Sequence, residues 1–178
     1  EIVNACGEKG YSVCILDYIP NAEFSQRKIK CNFYLQTDIN STRSLQKSIK
    51  KLLIKYKKID HVINSAYPKS KSYGTPPLEL SLENFNNNVC LHLGGYFNVL
   101  KEFITVFKNQ NFGNLVNISS ILGVKSPKFH HYDNTNMISP IEYSASKSAI
   151  VAISKYMAKM LKGSNIRVNC ISPGGIYL

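Results

Sequence analysis

The chain has 178 residues, of which 44% are hydrophobic, so it is long enough for one domain with a real core. Its net charge of +11 would suit nucleic acid or an anionic substrate, but no nucleic-acid-binding motif accompanies it, and the lysines between positions 47 and 58 have the spacing of a solvated helix face. The five cysteines form no C-x-x-C pair, which predicts reduced thiols without a disulfide framework or a metal site. The chain has no apolar run long enough to span a bilayer and no leader-like opening, which predicts a cytoplasmic protein without a membrane partner.

Strand patterns alternate with helix patterns along the chain. Apolar runs indicate strands, and apolar residues at helical spacing indicate helices. In chain order the predicted elements are the end of a helix at 1–10, strands at 11–18 and 32–36, a helix at 41–56, a strand at 60–64, a helix from Ser81, a strand at 114–119, a helix at 142–161 and a strand at 165–171. This alternation predicts an α/β fold with a doubly wound parallel sheet, Rossmann-like, as one domain over residues 1–178.

The helix after Ser81 is the longest apolar pattern in the middle of the chain. Ser81 is predicted to cap it, with Asn84 in its first turn. Its apolar stripe is predicted to consist of Phe85, Val89, Leu93, Phe97, Leu100 and Ile104.

The sequence is predicted to be an internal fragment of a longer enzyme. A doubly wound dinucleotide-binding fold begins with a strand and a Gly-rich turn that hold the pyrophosphate at a helix N-terminus. Neither precedes the helix pattern at 1–10, and Gly7 and Gly10 come before a strand rather than after one.

Tyr143 and Lys147 are the residues that carry the most chemical information. They are four positions apart in a predicted helix, which places both side chains on one face, one turn apart. A free tyrosine has a pKa of about 10, and a neighbouring cation favours the phenolate and lowers that pKa. By itself the spacing is a weak signal, because any helix can contain it by chance.

The context of this pair resembles the classical short-chain dehydrogenase/reductase family. The segment Asn117-Ile118-Ser119-Ser120 precedes the pair, and the segment from Ile166 to Gly175 follows it. The resemblance implies hydride transfer between nicotinamide and a carbinol or carbonyl carbon. In such a site Tyr143 exchanges the proton, Lys147 lowers the pKa of that tyrosine and holds the ribose, and Ser120, with Ser119 as second choice, orients the substrate. The family would also continue past Gly175 into a substrate-covering segment.

The same resemblance implies which residues hold the cofactor. Asp17, at the end of the first visible strand, would accept hydrogen bonds from the adenosine ribose and repel a 2′-phosphate, which implies NAD rather than NADP. The remaining cofactor-binding residues implied are Asp38 and Ile39 beside the adenine, Asn64 and Ala66 along the pocket, and Pro173 and Gly174 against the nicotinamide, together with Tyr143 and Lys147. Considered singly, each is also an ordinary strand-end, turn or helix-cap residue.

The sequence departs from the family in three places. Tyr67 stands where the family has a glycine, and it would narrow the cofactor pocket, reach the substrate or simply pack at the surface. His92 stands where the central helix normally has a catalytic asparagine that holds a water; it could bond a water or relay a proton, or be a buried structural histidine. An extended segment between Ser120 and Tyr143, with lysines and a histidine pair, is expected to shape a polar or anionic substrate pocket.

More closely, the segments 65–68, 91–97 and 155–159 resemble the flagellin-modification oxidoreductases of bacteria. This implies a small-molecule substrate, a sugar or activated sugar, and the family implies a homo-dimer or homo-tetramer. One alternative is a dehydrogenase or reductase of another small alcohol or of a ketoacyl thioester. Another is a non-catalytic scaffold that senses a dinucleotide, and a nucleic-acid binder comes last.

Overall fold

The structure, a computed structural model, describes residues 1–135 and 138–175. It divides into two compact units, Glu1–Lys57 and Lys58–Leu178. Each unit contains a parallel sheet with helices, as predicted for this α/β fold. That the whole chain folds as one domain stays a prediction.

The first unit alternates helices with two strands. Its elements are α1 (Ile2–Glu8), β1 (Cys14–Asp17), α2 (Asn21–Gln26), β2 (Phe33–Gln36) and α3 (Thr42–Tyr56). The strands are parallel, with Cys14 opposite Phe33 and Asp17 opposite Gln36. The predicted strand at 11–18 is shorter in the structure, since the Val13 N–H donates to the Asn32 side chain rather than to a backbone carbonyl.

Two helices of this unit illustrate what a local pattern can predict. α3 begins where the sequence indicated, because the Ser41 hydroxyl accepts a hydrogen bond from the Ser44 N–H, and it ends at Lys57, which has a left-handed conformation with φ 68°. α2 was not predicted. It has six residues, and its buried residue is Phe24, which is too little for an apolar stripe.

The second unit has a three-stranded sheet in the order β3-β4-β5, with all strands parallel. Its elements are β3 (His61–Asn64), α4 (Leu82–Val89), a π-helical turn (Cys90–Gly94), α5 (Gly95–Gln110), β4 (Gly113–Ile118), 3₁₀ turns at Ile121–Gly123 and Phe129–His131, α6 (Ile141–Met160) and β5 (Ile166–Ile171). Its core includes Leu115 and Val168 from the sheet and Phe107 and Ile150 from the helices.

The predicted apolar stripe of the central helix is wrong at Phe97. The side chain of Phe97 is 56% exposed, whereas the neighbouring Tyr96 is fully buried. Asn88, His92 and Tyr96 are buried at spacings of four, so polar residues share the buried face of the helix and Phe97 lies off it. Leu100 and Ile104 are buried, as predicted.

Within the described ranges, every helix is too short or too polar to cross a membrane.

Candidate active site

Lys147 lies almost fully buried on α6, one turn after Tyr143. Its ammonium is 5.5 Å from the centroid of the Tyr143 ring and donates a hydrogen bond of 2.8 Å to the Ile118 carbonyl oxygen. The side chain is only 5% exposed, and this burial lowers the pKa of Lys147 to about 8. A cation is thus held beside the phenol that the sequence singled out.

The Ile118 carbonyl at the end of β4 accepts a second hydrogen bond. The hydroxyl of Tyr96, on α5, donates to it at 3.0 Å. Burial raises the pKa of Tyr96, so this phenol keeps its proton. Two donors from two helices therefore converge on one carbonyl at the carboxyl end of the central strand.

The two serines after β4 have different hydrogen bonds. The Ser119 hydroxyl donates to the Lys147 carbonyl at 2.7 Å, so it ties the strand to α6. The Ser120 hydroxyl accepts from the Leu122 N–H at 3.1 Å and caps the 3₁₀ turn. That bond leaves the proton of Ser120 available to a substrate oxygen, which favours Ser120 over Ser119 as the orienting serine.

His92 lies inside the π-helical turn and is 2% exposed. The centroid of its ring is 5.2 Å from that of Tyr67 and 6.3 Å from that of Tyr143. Burial and the charge of Lys147 lower the pKa of His92 to about 4, so the imidazole is neutral at physiological pH. Its Nε2 atom is buried and has no hydrogen-bond partner among the described residues, so it could hold a water or a polar group.

Asn64 is placed in a buried polar chain that joins three elements. Its amide donates to Asn117 Oδ1 at 3.3 Å, and Asn117 Nδ2 donates to the Ser154 hydroxyl at 2.9 Å. This chain links β3, β4 and α6. Ala66, two positions past the end of β3, is half-buried.

The residues predicted to bind adenosine lie in the first unit. Asp17 ends β1, and its carboxylate accepts from the Ile19 N–H at 3.3 Å. Asp38 accepts from the Asn40 N–H at 2.9 Å, and the half-buried Ile39 lies between them. These local bonds suit an ordinary turn as well as a nucleotide site.

The predicted nicotinamide turn lies in the second unit. The Pro173 carbonyl accepts from the Ile121 N–H at 2.8 Å, next to Ser120. A Cβ added to Gly174 would meet no described atom within 4 Å, so a planar ring has space against this backbone. Lys147 uses one of its three N–H donors within the described residues, which leaves donors for ribose hydroxyls. The residues present therefore fit the nicotinamide half of a dinucleotide.

A cleft of about 260 Å³ opens beside Tyr143. Its described lining residues are Tyr67, Tyr73, Gly74, Leu122, Tyr132, Ile138, Ser139, Pro140 and Tyr143. None of them carries a charge, so of the polar or anionic substrate pocket expected of the segment after Ser120, the described lining fits the polar alternative. His130 and His131 of that segment are exposed and contact each other. Tyr132 belongs to the segment that was expected to shape the pocket, whereas Tyr73 was missed, because nothing local in the sequence connects it to Tyr143.

Comparison with known proteins decides the family. The family model described as enoyl-(acyl carrier protein) reductase matches residues 1–177. The post-translational flagellin modification protein A of Campylobacter coli is 44% identical over 143 residues, covering 80% of this chain and 56% of that protein. This chain belongs to the short-chain dehydrogenase/reductase family.

Two further members show the same relationship. A 3-oxoacyl-[acyl-carrier-protein] reductase of Chlamydia muridarum is 32% identical over 147 residues, which are 83% of this chain and 54% of that enzyme. The crystal structure of a short-chain dehydrogenase from Leptospira borgpetersenii with bound NAD⁺ superposes with a TM-score of 0.80 at 28% identity, covering 99% of this chain and 66% of that one. The chain spans about half the length of the curated relatives it matches.

Proposed function

We propose that this chain belongs to an NAD-dependent oxidoreductase that transfers a hydride at a carbinol or carbonyl carbon of a sugar or activated sugar used to make flagellin glycan precursors. The observation that carries the proposal is the buried ammonium of Lys147 beside Tyr143. A buried cation is costly to the fold, and groups with strongly perturbed pKa values concentrate at functional sites. The 44% identical flagellin modification protein supports the sugar substrate.

Each catalytic side chain has one task in this proposal. Tyr143 exchanges a proton with the substrate oxygen, and the Lys147 charge stabilises the phenolate that results. The hydroxyl of Ser120 donates a hydrogen bond to the same substrate oxygen. His92, neutral and with an unpartnered Nε2 among the described residues, holds a water or relays a proton next to Lys147.

The cofactor is proposed to be NAD rather than NADP, and when bound its nicotinamide supplies or accepts the hydride. The Asp17 carboxylate would accept hydrogen bonds from ribose hydroxyls and repel a 2′-phosphate. The other residues proposed to bind it are Asp38, Ile39, Asn64, Ala66, Tyr143, Lys147, Pro173 and Gly174. Family resemblance further implies a cytoplasmic homo-dimer or homo-tetramer.

A second candidate is the reduction of a ketoacyl thioester with the same catalytic residues. The 32% identical 3-oxoacyl reductase supports it. Turnover of an acetoacetyl thioester, with none of any sugar, would favour this candidate. A scaffold that only senses the dinucleotide would bind NADH and turn over neither.

The first experiment is a fluorescence titration of NADH and of NADPH into the full-length protein. We expect tight NADH binding and weak NADPH binding, because Asp17 repels the 2′-phosphate. Tyr143→Phe should still bind NADH but lose activity by about 10²–10⁴-fold, the usual contribution of a general acid or base. A folded protein that binds neither nucleotide would refute the dehydrogenase proposal.

A further inference from the structure

The cleft beside Tyr143 is lined by tyrosines and lacks charge. Tyr67, Tyr73, Tyr132 and Tyr143 all line it, and its other described lining residues are apolar or carry a hydroxyl. Its volume of about 260 Å³ lies just below the ~300–1,000 Å³ typical of small-molecule pockets. A space of this size has room for a single substituted ring.

The aromatic rings form a corner. The Tyr67 ring meets Tyr73 edge-on, with centroids 5.7 Å apart and planes at 86°, and it meets Tyr143 at 5.5 Å and 76°. Tyrosine combines an apolar face with a polar tip. A ligand ring with C–H groups on its faces and hydroxyls around its edge can pack on the tyrosine faces and hydrogen-bond to the tyrosine hydroxyls.

The hydroxyls of Tyr67 and Tyr73 are hydrogen-bonded to each other. Burial raises the pKa of both phenols, so both are neutral. Two phenols have two protons, and their mutual bond uses one; the pair keeps one donor and several acceptor lone pairs. An alcohol, which both donates and accepts, complements that set, whereas a carboxylate or phosphate needs donors alone.

The wall that contains Tyr73 is held by a buried carboxyl group. Glu142, adjacent to Tyr143, is 1% exposed, and its Oε1 accepts from the Gly74 N–H at 3.1 Å and from Asn88 Nδ2 at 3.4 Å. Asn88 in turn accepts from the Ser70 N–H at 3.1 Å. Glu142 Oε2 is buried without a hydrogen-bond partner among the described residues.

Burying a carboxyl with one oxygen unpaired is costly. The gain is that segment 70–74 is fixed to the helix that carries Tyr143. Gly74 fits closely there: its φ is +90°, and a Cβ would lie 2.6 Å from the Ile138 side chain. Glu142 and Asn88 are therefore positioning residues for Tyr73.

We propose that this cleft binds a neutral, hydroxyl-bearing ring of the substrate, and that the Tyr67–Tyr73 hydroxyl pair hydrogen-bonds one ring hydroxyl and thereby sets specificity. The inference rests on the proposed function, because it assigns the substrate of that reaction to this cleft.

The test is steady-state kinetics of the full-length enzyme with NAD⁺ and a panel of free and activated aldoses, together with deoxy analogues that each lack one hydroxyl. Tyr73→Phe should raise KM about tenfold for the best sugar, the effect of one lost hydrogen bond, with kcat changed little. For the deoxy analogue that lacks the recognised hydroxyl, Tyr73→Phe should change KM by less than about twofold. Glu142→Ala should raise KM as Tyr73→Phe does. Glu142→Gln keeps an acceptor oxygen, so its KM should stay at the wild-type value.

Two controls separate this effect from general damage and from charge. Tyr156→Phe changes a 70% exposed tyrosine on α6, the helix of Glu142 and Tyr143, and should leave KM unchanged. Lys69, whose ammonium lies 4.9 Å from the Tyr67 ring centroid, is the cation that would bind an anionic substrate instead. A larger KM increase for Lys69→Gln than for Tyr73→Phe would refute the proposal that the cleft binds a neutral ring.

The remaining outcomes are also decisive. Equal KM values for wild type and Tyr73→Phe on every sugar would refute the hydroxyl pair as a specificity element. An enzyme that binds NADH but turns over no sugar would refute the inference while leaving a dinucleotide-dependent function standing. Failure to bind NADH would refute the proposed function itself.

Discussion

The buried ammonium of Lys147 destabilises the fold. A lysine ordinarily titrates near 10.5, and burial lowers this pKa to about 8. The difference corresponds to about 3 kcal/mol for keeping the ammonium charged at neutral pH. Such a cost is tolerated where a fixed charge serves chemistry.

Lys147→Met is expected to abolish activity and to stabilise the cofactor-free protein by about 1–3 kcal/mol at neutral pH. The Ile118 carbonyl stays satisfied in this variant, because Tyr96 still donates to it. The folded pKa lies below the unfolded one, so wild-type stability rises as pH increases from about 8 to 10.5. Lys147→Met should not show this rise in stability with pH.

Urea unfolding of both proteins across this pH range measures the difference. A variant less stable than wild type at neutral pH would mean that the ammonium stabilises the fold.

His92 is expected to make stability pH-dependent in the acidic range. Its folded pKa of about 4 lies below its ordinary value of 6.5, so the unfolded chain takes up the proton first as pH falls. Wild type should therefore lose up to about 3 kcal/mol between these two pH values. His92→Asn, which restores the residue typical of the family, should remove this loss.

Unfolding free energies above and below that window provide the measurement, with the exposed His130→Asn as the matched control. If His92→Asn followed the wild-type pH profile, the imidazole would not be the group responsible.

At the scale of elements, the polar residues on the buried face of the central helix explain why its apolar stripe was predicted only in part. Helical spacing correctly indicated the buried residues Leu100 and Ile104, and the Ser81 cap is confirmed by its bond to the Asn84 N–H. The buried face includes Asn88, His92 and Tyr96, so Phe97 is exposed and the Tyr96 hydroxyl reaches the Ile118 carbonyl. A search for apolar spacing does not find this face, because Asn88 and His92 are polar.

The approach of the 3₁₀ turn Ile121–Gly123 to α6 requires glycine. A Cβ on Gly123 would lie 2.7 Å from the carbonyl carbon of Lys147. Gly123→Ala must therefore push the turn from the helix, and we expect a loss of about 1–3 kcal/mol together with reduced activity, because the same turn is capped by Ser120.

The matched control is Gly94→Ala. A Cβ at Gly94 would meet no described atom within 4 Å, and its φ of −60° is helical, so this change should be neutral or stabilise by about 0.5–1 kcal/mol. Equal unfolding free energies for Gly123→Ala and wild type in urea would show that the contact relaxes at no cost.

At the scale of the molecule, parallel topology explains where the second unit gathers its polar residues. β3 ends at Asn64, β4 is followed by Ser119 and Ser120, and β5 is followed by the Pro173 turn. Parallel strands bring their carboxyl ends to one edge of the sheet, where ligands bind in α/β folds. The parallel order of the strands therefore places these polar residues at one edge of the sheet.

The sequence by itself determined the strand–helix alternation, the capped helix start at Ser81 and the family motifs around Tyr143 and Lys147. These depend on residues close together in the chain, so local spacing contains them. Only the tertiary structure decided that Ser119 ties β4 to α6 while Ser120 keeps its proton, and that Tyr67, Tyr73 and Tyr143 share one uncharged cleft. The tyrosine contacts join segments about 70 positions apart, and the Ser119 bond joins residues with a sequence separation of 28. These contacts depend on how loops pack against the ends of the sheet, which no local pattern encodes.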